Sequence, residues 1–356
     1  MKEYHNYFQE MIEIYKRLSD EESKKIFEAR IAYMLDNNKD NYIKAISDIY
    51  RDWTILEIEE ELKSNQEIIL FGCGHDGRQA CTLLMWGGYK ISYYCDNYRY
   101  GKVIDGRQVL SVDEVVKEHG NALVIIASSK YGEEMYIQLV KNGFYYQNIL
   151  LPKYKEIIGI RGKQYFDVFE PLTDEIYIDA GAFDGGTVLD FYDWTKGRYQ
   201  RIYAFEPIKD MCKIISEKVE KAKIKNIQII NKAVWEEEGI LNFSENGAGS
   251  GVNSDGDMVV QGVNIDSVIN QEKVTFIKMD VEGSELGALK GAEKTIRINK
   301  PRLAICIYHK KMDLLEIASY LLKVVPEYNF YIRQYWSNMW ETVLYAYVPQ
   351  YQSTKD

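Results

Sequence analysis

The stretch from Glu175 to Thr187 constrains this chain more than any other. Glu175-Ile176-Tyr177-Ile178 is a short apolar run with strand character, and it passes through Asp179 into Ala180-Gly181-Ala182-Phe183-Asp184-Gly185-Gly186-Thr187. A strand that ends on a carboxylate and breaks into glycines opens a crevice at its tip. Gly181 and Gly185 let a ligand approach the main chain, and the Asp179 carboxylate is expected to point into the cleft, which suits a cation-bearing ligand.

The pattern then recurs. Arg201–Phe205 reads as a second strand ending in Glu206-Pro207, where a carboxylate can accept two hydrogen bonds from a ribose diol. Ile227–Ile230 leads into Asn231-Lys232-Ala233-Val234, a turn able to close over an adenine ring. Val274–Met279 ends in Asp280, with Glu282 and Gly283 ahead of a helix expected over Ser284–Ile296. Leu303–Tyr308 delivers His309 to the same rim, and Tyr328–Gln334 with Thr342–Tyr347 reads as a closing strand pair. Strands alternating with helices imply a parallel sheet with right-handed crossovers, whose strand ends line one crevice.

The strings IDAGAFDGGT, YAFEP, NKAV, IKMDVEGSE and ICIYHKKMDL, in that order, resemble the FkbM-type methyltransferase family over roughly residues 156–349. The resemblance implies a Rossmann-like class I methyltransferase domain with seven strands, the last antiparallel. It would use S-adenosylmethionine to methylate a hydroxyl of a sugar, glycan or related small metabolite. On matching positions it places Asp179, Gly181, Phe183, Asp184, Gly185 and Thr187 around the methionine part, Glu206 with Pro207 at the ribose, and Asn231 and Ala233 beside the adenine. Asp280 would face the methyl donor.

Methyl transfer to a hydroxyl is an in-line displacement, so the acceptor oxygen must be held at attack distance and its proton removed. A sugar hydroxyl is scarcely acidic and needs a positioned base, or a metal ion that lowers its pKa. His309 fits the first role; Asp280 with Glu282 would fit the second, and all three are the candidate catalytic residues. No dense cluster of carboxylates or histidines stands in the sequence, so no metal is expected. The small, polar stretch Ser244–Ser254 reads as a mobile loop and candidate lid, and Tyr335–Trp340 offers aromatic faces of the kind carbohydrates stack upon.

Upstream, Ile68–Phe71 runs into Gly72-Cys73-Gly74-His75-Asp76-Gly77 and a helical stretch, a strand over Lys90–Cys95 ends in Asp96, and Leu123–Ile126 forms a third strand. Gly72, Gly74, Gly77 and Asp96 make a possible second nucleotide site. Glycines at such a turn equally serve tight packing in domains that bind nothing, and both readings stay open. The expected organisation is a helical segment over 1–64, with a Ser19–Glu22 capping box, a smaller Rossmann-like α/β domain over 65–155 and the methyltransferase domain over 156–356. The helices, rich in tyrosine, read as a packing or oligomerisation appendage, compatible with a homodimer. Two competing functions are an NAD(P)-dependent oxidoreductase built on the first glycine loop and a non-catalytic assembly protein.

The 356 residues are enough for two folded units, and 46% hydrophobic against 28% charged residues is a globular balance. A net charge of −10 repels phosphate backbones and anionic lipid, so neither nucleic acid nor membrane is expected as a partner. Met1–Glu10 has no apolar core of a signal peptide, which points to the cytoplasm. Five widely spaced cysteines read as small buried hydrophobes, with Cys73 the one that could be reactive.

Overall fold

The computed structural model describes residues 2–50, 62, 67–86, 88–128, 130–151, 164–244, 251–252, 258–269, 272–335 and 340–349. The chain divides into two compact units, one of residues 1–37, 162–335 and 339–356, the other of 38–161 with 336–338. The helical segment expected over 1–64 is therefore divided between them. Among the described residues no helix is long and apolar enough to cross a membrane.

The larger unit is built on seven strands: β1 (Ile176–Ala180), β2 (Arg201–Phe205), β3 (Ile227–Ile230), β4 (Phe276–Met279), β5 (Arg302–Cys306), β6 (Asn329–Gln334) and β7 (Thr342–Tyr347). Their order in the sheet is β6-β7-β5-β4-β1-β2-β3. All pairs are parallel except those made by β7, which runs antiparallel to β5 and β6. β1, β4 and β5 are buried along their whole length, as expected of central strands covered on both faces. On one face the Tyr177 and Phe191 rings stack at 4.2 Å, and Phe166, Phe169, Trp194 and Phe276 pack around them. Because β1 leads outward to β2 on one side while β4 lies on the other, the sheet changes direction between β1 and β4. A crevice opens there at the strands' C-terminal ends.

Three local features differ from the sequence reading. The helix expected over Ser284–Ile296 is two, Glu285–Lys290 and Glu293–Asn299. Between them Gly291 packs so closely that a Cβ would lie 2.0 Å from the Trp235 carbonyl oxygen. The stretch after β3 forms a four-stranded arm of Ala233–Val234, Met258–Val263, Gly239–Ser244 and Gly251–Val252. Of the stretch read as a lid, Gly251–Val252 pairs with Phe243–Ser244, while 245–250 and 253–254 lie outside the described residues, as does 336–339 of the aromatic run.

The third difference is at the amino terminus. Helix Glu21–Asp36 is capped by Asp20, whose carboxylate accepts from the Ser23 amide, and not by Ser19. Ser19 is engaged elsewhere: its amide donates to the Phe330 carbonyl, and its hydroxyl lies 2.9 Å from the Tyr347 hydroxyl. Leu18 bridges Phe330 in parallel, Ser23 Oγ accepts from the Ile332 amide, and Arg333 pairs with Asp20. Buried Arg30 reaches Thr342 Oγ1 at 2.7 Å and the Ile307 carbonyl at 2.8 Å. An open edge of β6 would invite a foreign strand, and this helix blunts it.

The smaller unit carries six strands in the order Val103–Ile104, Arg107–Leu110, Ile91–Cys95, Ile68–Phe71, Leu123–Ile126 and Ile149–Leu150. Only the first pair is antiparallel. Helix Val112–Glu118 opens with the reciprocal capping box of Ser111 and Glu114.

Candidate methyltransferase site

A cavity of about 180 Å³ sits at the tips of β1, β2 and β4. Of the residues expected there, Gly181, Phe183, Glu206, Pro207, Ala233, Asp280 and Glu282 line it. Gly181 has φ +81°, and a Cβ there would lie 1.9 Å from the Asp280 carbonyl oxygen, so the glycine loop and the turn after β4 meet backbone to backbone.

Glu206 is buried at 5% exposure, and both of its oxygens are anchored, Oε2 by the Phe183 amide at 2.9 Å and Oε1 by the Ile208 amide at 2.8 Å. Burial pushes its pKa up to about 7 in spite of those two amides. A carboxylate has about four lone-pair sites, so Glu206 keeps acceptor capacity toward the cavity. Asn231 donates to the carbonyls of Glu206 and Pro207 at 3.0 and 2.8 Å, which holds the loop and not a ligand. Ile208, Ala233, Val234 and Phe243 give the neighbouring wall an apolar surface fit for a flat ring.

Asp179 does not point into the cavity. It is fully buried, with Oδ1 3.1 Å from Lys278 Nζ and Oδ2 accepting from Thr187 Oγ1. Lys278, 2% exposed on β4, also donates to the Gly181 carbonyl at 2.6 Å. Burial would strip its proton, but the charges of Asp179 and Asp280 keep it on and raise the pKa. Asp184 likewise turns aside, to Lys218 at 2.6 Å and the Gly186 amide at 3.0 Å, and Gly185, at φ +82°, packs on Ile215. These residues shape the loop that Gly181 and Phe183 present.

At the other end of the cavity Asp280 accepts from the hydroxyls of Tyr165 at 2.9 Å and Tyr308 at 3.2 Å. His309, its side chain 6% exposed, has Nε2 3.1 Å from Glu282 and 3.6 Å from Asp280, and Nδ1 3.0 Å from Glu285. These are charge contacts without hydrogen-bond alignment, since neither ring nitrogen has a partner of proper geometry. Burial opposes a charged ring, but Glu282, Glu285 and Asp280 outweigh it and raise the pKa to about 10. These carboxylates hold the ring protonated at neutral pH, without a lone pair for a substrate proton, contrary to the base role expected of it. Tyr165, Phe183, Glu282 and Glu341 have φ of +74°, +47°, +53° and +57°, the backbone strain that active sites tend to hold.

The sequence from 179 to 332 matches the family model described as Methyltransferase FkbM domain. Residues 179–332 are an FkbM methyltransferase domain. Among solved structures, methyltransferase FkbM from Methylobacillus flagellatus KT is 19% identical, with 92% of this chain and 99% of that chain covered at a TM-score of 0.52. It shares the fold. An rRNA methylase from Streptococcus thermophilus is 17% identical over 49% of this chain and 86% of that one, TM-score 0.33. Aeropyrum pernix fibrillarin, in complex with natively bound S-adenosyl-L-methionine, is 14% identical over 49% and 66%, TM-score 0.33. No curated protein matches the chain.

Sequence reasoning missed Lys278, Tyr165, Tyr308 and Glu341 in the FkbM domain and its surroundings. A lysine between Ile277 and Met279 was the one readable signal, because a charge inside a strand buried on both faces requires a partner.

In the smaller unit Gly72, Gly74 and Asp96 line a cavity of about 510 Å³. Asp96 is occupied: it accepts from the amides of Cys73, Tyr98 and Arg99 at 3.2, 2.9 and 3.1 Å, and Cys73 Sγ lies 3.2 Å away. The lining also carries Asp76 and Glu134 with no lysine or arginine among the described residues, an unfavourable place for a diphosphate. Burial and Asp96 push the Cys73 thiol up to about 11, so it is inert at neutral pH. Two of the glycines are there for packing, since a Cβ would lie 2.7 Å from the Ala127 carbonyl oxygen at Gly72 and 1.8 Å from the Gly72 carbonyl oxygen at Gly77. Gly74 faces open space. Urea unfolding of Gly77→Ala should therefore show a loss of about 1–3 kcal/mol or more, and Gly74→Ala a change within about 0.5 kcal/mol.

Proposed function

We propose that the protein is an O-methyltransferase that transfers the methyl group of S-adenosylmethionine to a hydroxyl of a sugar, glycan or related small metabolite. The observation that carries the cofactor reading is Glu206, a buried carboxylate at a strand tip, fixed by two amides, with acceptor capacity left toward the cavity. The apolar wall of Ile208, Ala233, Val234 and Phe243 suits the adenine, and the side-chain-free Gly181 leaves room for the methionine part. When bound, S-adenosylmethionine supplies an electrophilic methyl carbon on a sulfonium.

A hydroxyl acceptor is favoured by the other end of the cavity, where Asp280, Glu282 and Glu341 stand. Three carboxylates repel an acidic acceptor and receive the hydrogen bonds of a neutral polyol. Glu282, on the cavity wall, would take the proton of the acceptor hydroxyl.

Titration calorimetry with S-adenosylhomocysteine tests the cofactor site. Glu206→Ala should bind about 10–100-fold more weakly, the equivalent of about 1–3 kcal/mol in lost charge-assisted hydrogen bonds. Equal affinity in the variant would remove the basis of the reading. The carboxylate form binds a diol, so wild-type affinity should rise with pH up to about 7 and level off above it. Incubation with labelled cofactor and a panel of neutral and acidic sugars should label only the neutral ones.

A further inference from the structure

We infer that the protein holds a divalent cation of the Mg²⁺ or Mn²⁺ class between Asp280, Glu285 and His309, at the acceptor end of the cavity. The three come from separate elements: the tip of β4, the first turn of helix Glu285–Lys290, and the residues after β5. One oxygen or nitrogen from each lies within 4.8 Å of the others. Donors around an octahedral ion at about 2.1 Å stand up to about 4.2 Å apart, so small side-chain shifts complete the set. Two carboxylates and an imidazole, whose ring proton the ion displaces on binding, suit a hard or borderline ion better than a soft one.

Two further observations point to something bound there. Glu285 is fully buried, and its Oε2 has no hydrogen-bond partner among the described residues; Oε1 accepts from the Val281 amide at 3.0 Å and the Gly283 amide at 3.3 Å. The ring nitrogens of His309, in a side chain 6% exposed, face carboxylate oxygens at 3.0 and 3.1 Å without hydrogen-bond alignment. A buried carboxylate oxygen left without a partner costs about 1–3 kcal/mol, and folds rarely leave one among other carboxylates without something to satisfy it. The local charge also needs a cation. Asp280, Glu282 and Glu285 crowd one imidazole, with Glu341 and the buried Asp313 close by, while the ammonium of Lys278 is committed to Asp179 and Gly181.

An ion at this point would face the cavity through Asp280, leave coordination positions for an acceptor hydroxyl, and lower that hydroxyl's pKa while Glu282 takes the proton. The inference concerns ion binding and does not depend on which acceptor is used.

The experiment is a Mn²⁺ titration of the full, EDTA-treated and dialysed protein, followed by electron paramagnetic resonance of free Mn²⁺, with Mg²⁺ as competitor. One equivalent should bind, and Asp280→Asn and Glu285→Gln should each weaken it by about tenfold or more. Glu134→Gln, in the acidic cavity of the smaller unit, should leave binding unchanged. S-adenosylhomocysteine calorimetry on the same samples reports whether each variant is folded and whether the cofactor reading holds, independently of the metal. Absence of Mn²⁺ binding by the wild-type protein at millimolar concentration, or equal binding by folded Asp280→Asn and Glu285→Gln, would overturn the inference.

Discussion

Replacing Lys278 with methionine should cost about 3–5 kcal/mol of folding stability and weaken S-adenosylhomocysteine binding at the same time. The stability loss follows from what remains: Asp179, fully buried, keeps the Thr187 hydroxyl but loses the ammonium that balances its charge. The affinity loss follows from the second bond of Lys278, to the carbonyl of Gly181, which fixes the loop lining the cavity. The two effects separate in the double variant. Asp179→Asn in the Lys278→Met background removes the orphaned charge while keeping the shape, so most of the stability should return, because a buried pair replaced whole is close to neutral. The loop bond stays broken and affinity should stay low. Urea unfolding with calorimetry on the three variants checks both, and a double variant no more stable than the single would contradict the charge argument.

The alternation of strands and helices was legible because it is local. Hydrophobic runs of strand length put β2, β3 and β7 at their observed bounds and the other strands within a few residues. Which way a carboxylate turns at a strand tip is not local. Asp179 lies inside β1, opposite Ala204, and meets a lysine from β4, while Glu206, just past the end of β2, meets backbone amides and stays at the cavity. The sequence offers the two acids as equals because the lysine that distinguishes them lies far along the chain.

The same reason explains the other departures. The Ser19–Glu22 pattern is a sound capping signal, but pairing of Leu18 with Phe330 takes Ser19 away and leaves the cap to Asp20. His309 read as a base because an isolated imidazole titrates near neutrality. Three carboxylates from two other segments change what it can do. Those segments also form the candidate metal site, which spacing in the sequence could not reveal.

A second buried ion pair provides the control that the Lys278 result needs. Arg302 begins β5, at the end of the strand opposite the cavity, and its guanidinium pairs with fully buried Glu175 and donates to the Glu170 carbonyl at 2.6 Å. It lies 5.5–5.7 Å from the ring centres of Phe169, Trp194 and Phe276, so burial is favoured from several sides. Arg302→Met should orphan Glu175 and cost about 3–5 kcal/mol, as large a loss as at Lys278. Affinity for S-adenosylhomocysteine, measured where the variant is still folded, should change by less than about twofold, since nothing that Arg302 touches lines the cavity. If Arg302→Met also lost affinity, destabilisation alone would account for the Lys278 result, and no positioning role for Lys278 would follow. Affinity preserved in one variant and lost in the other, at equal cost in stability, assigns that role to the bond between Lys278 and Gly181.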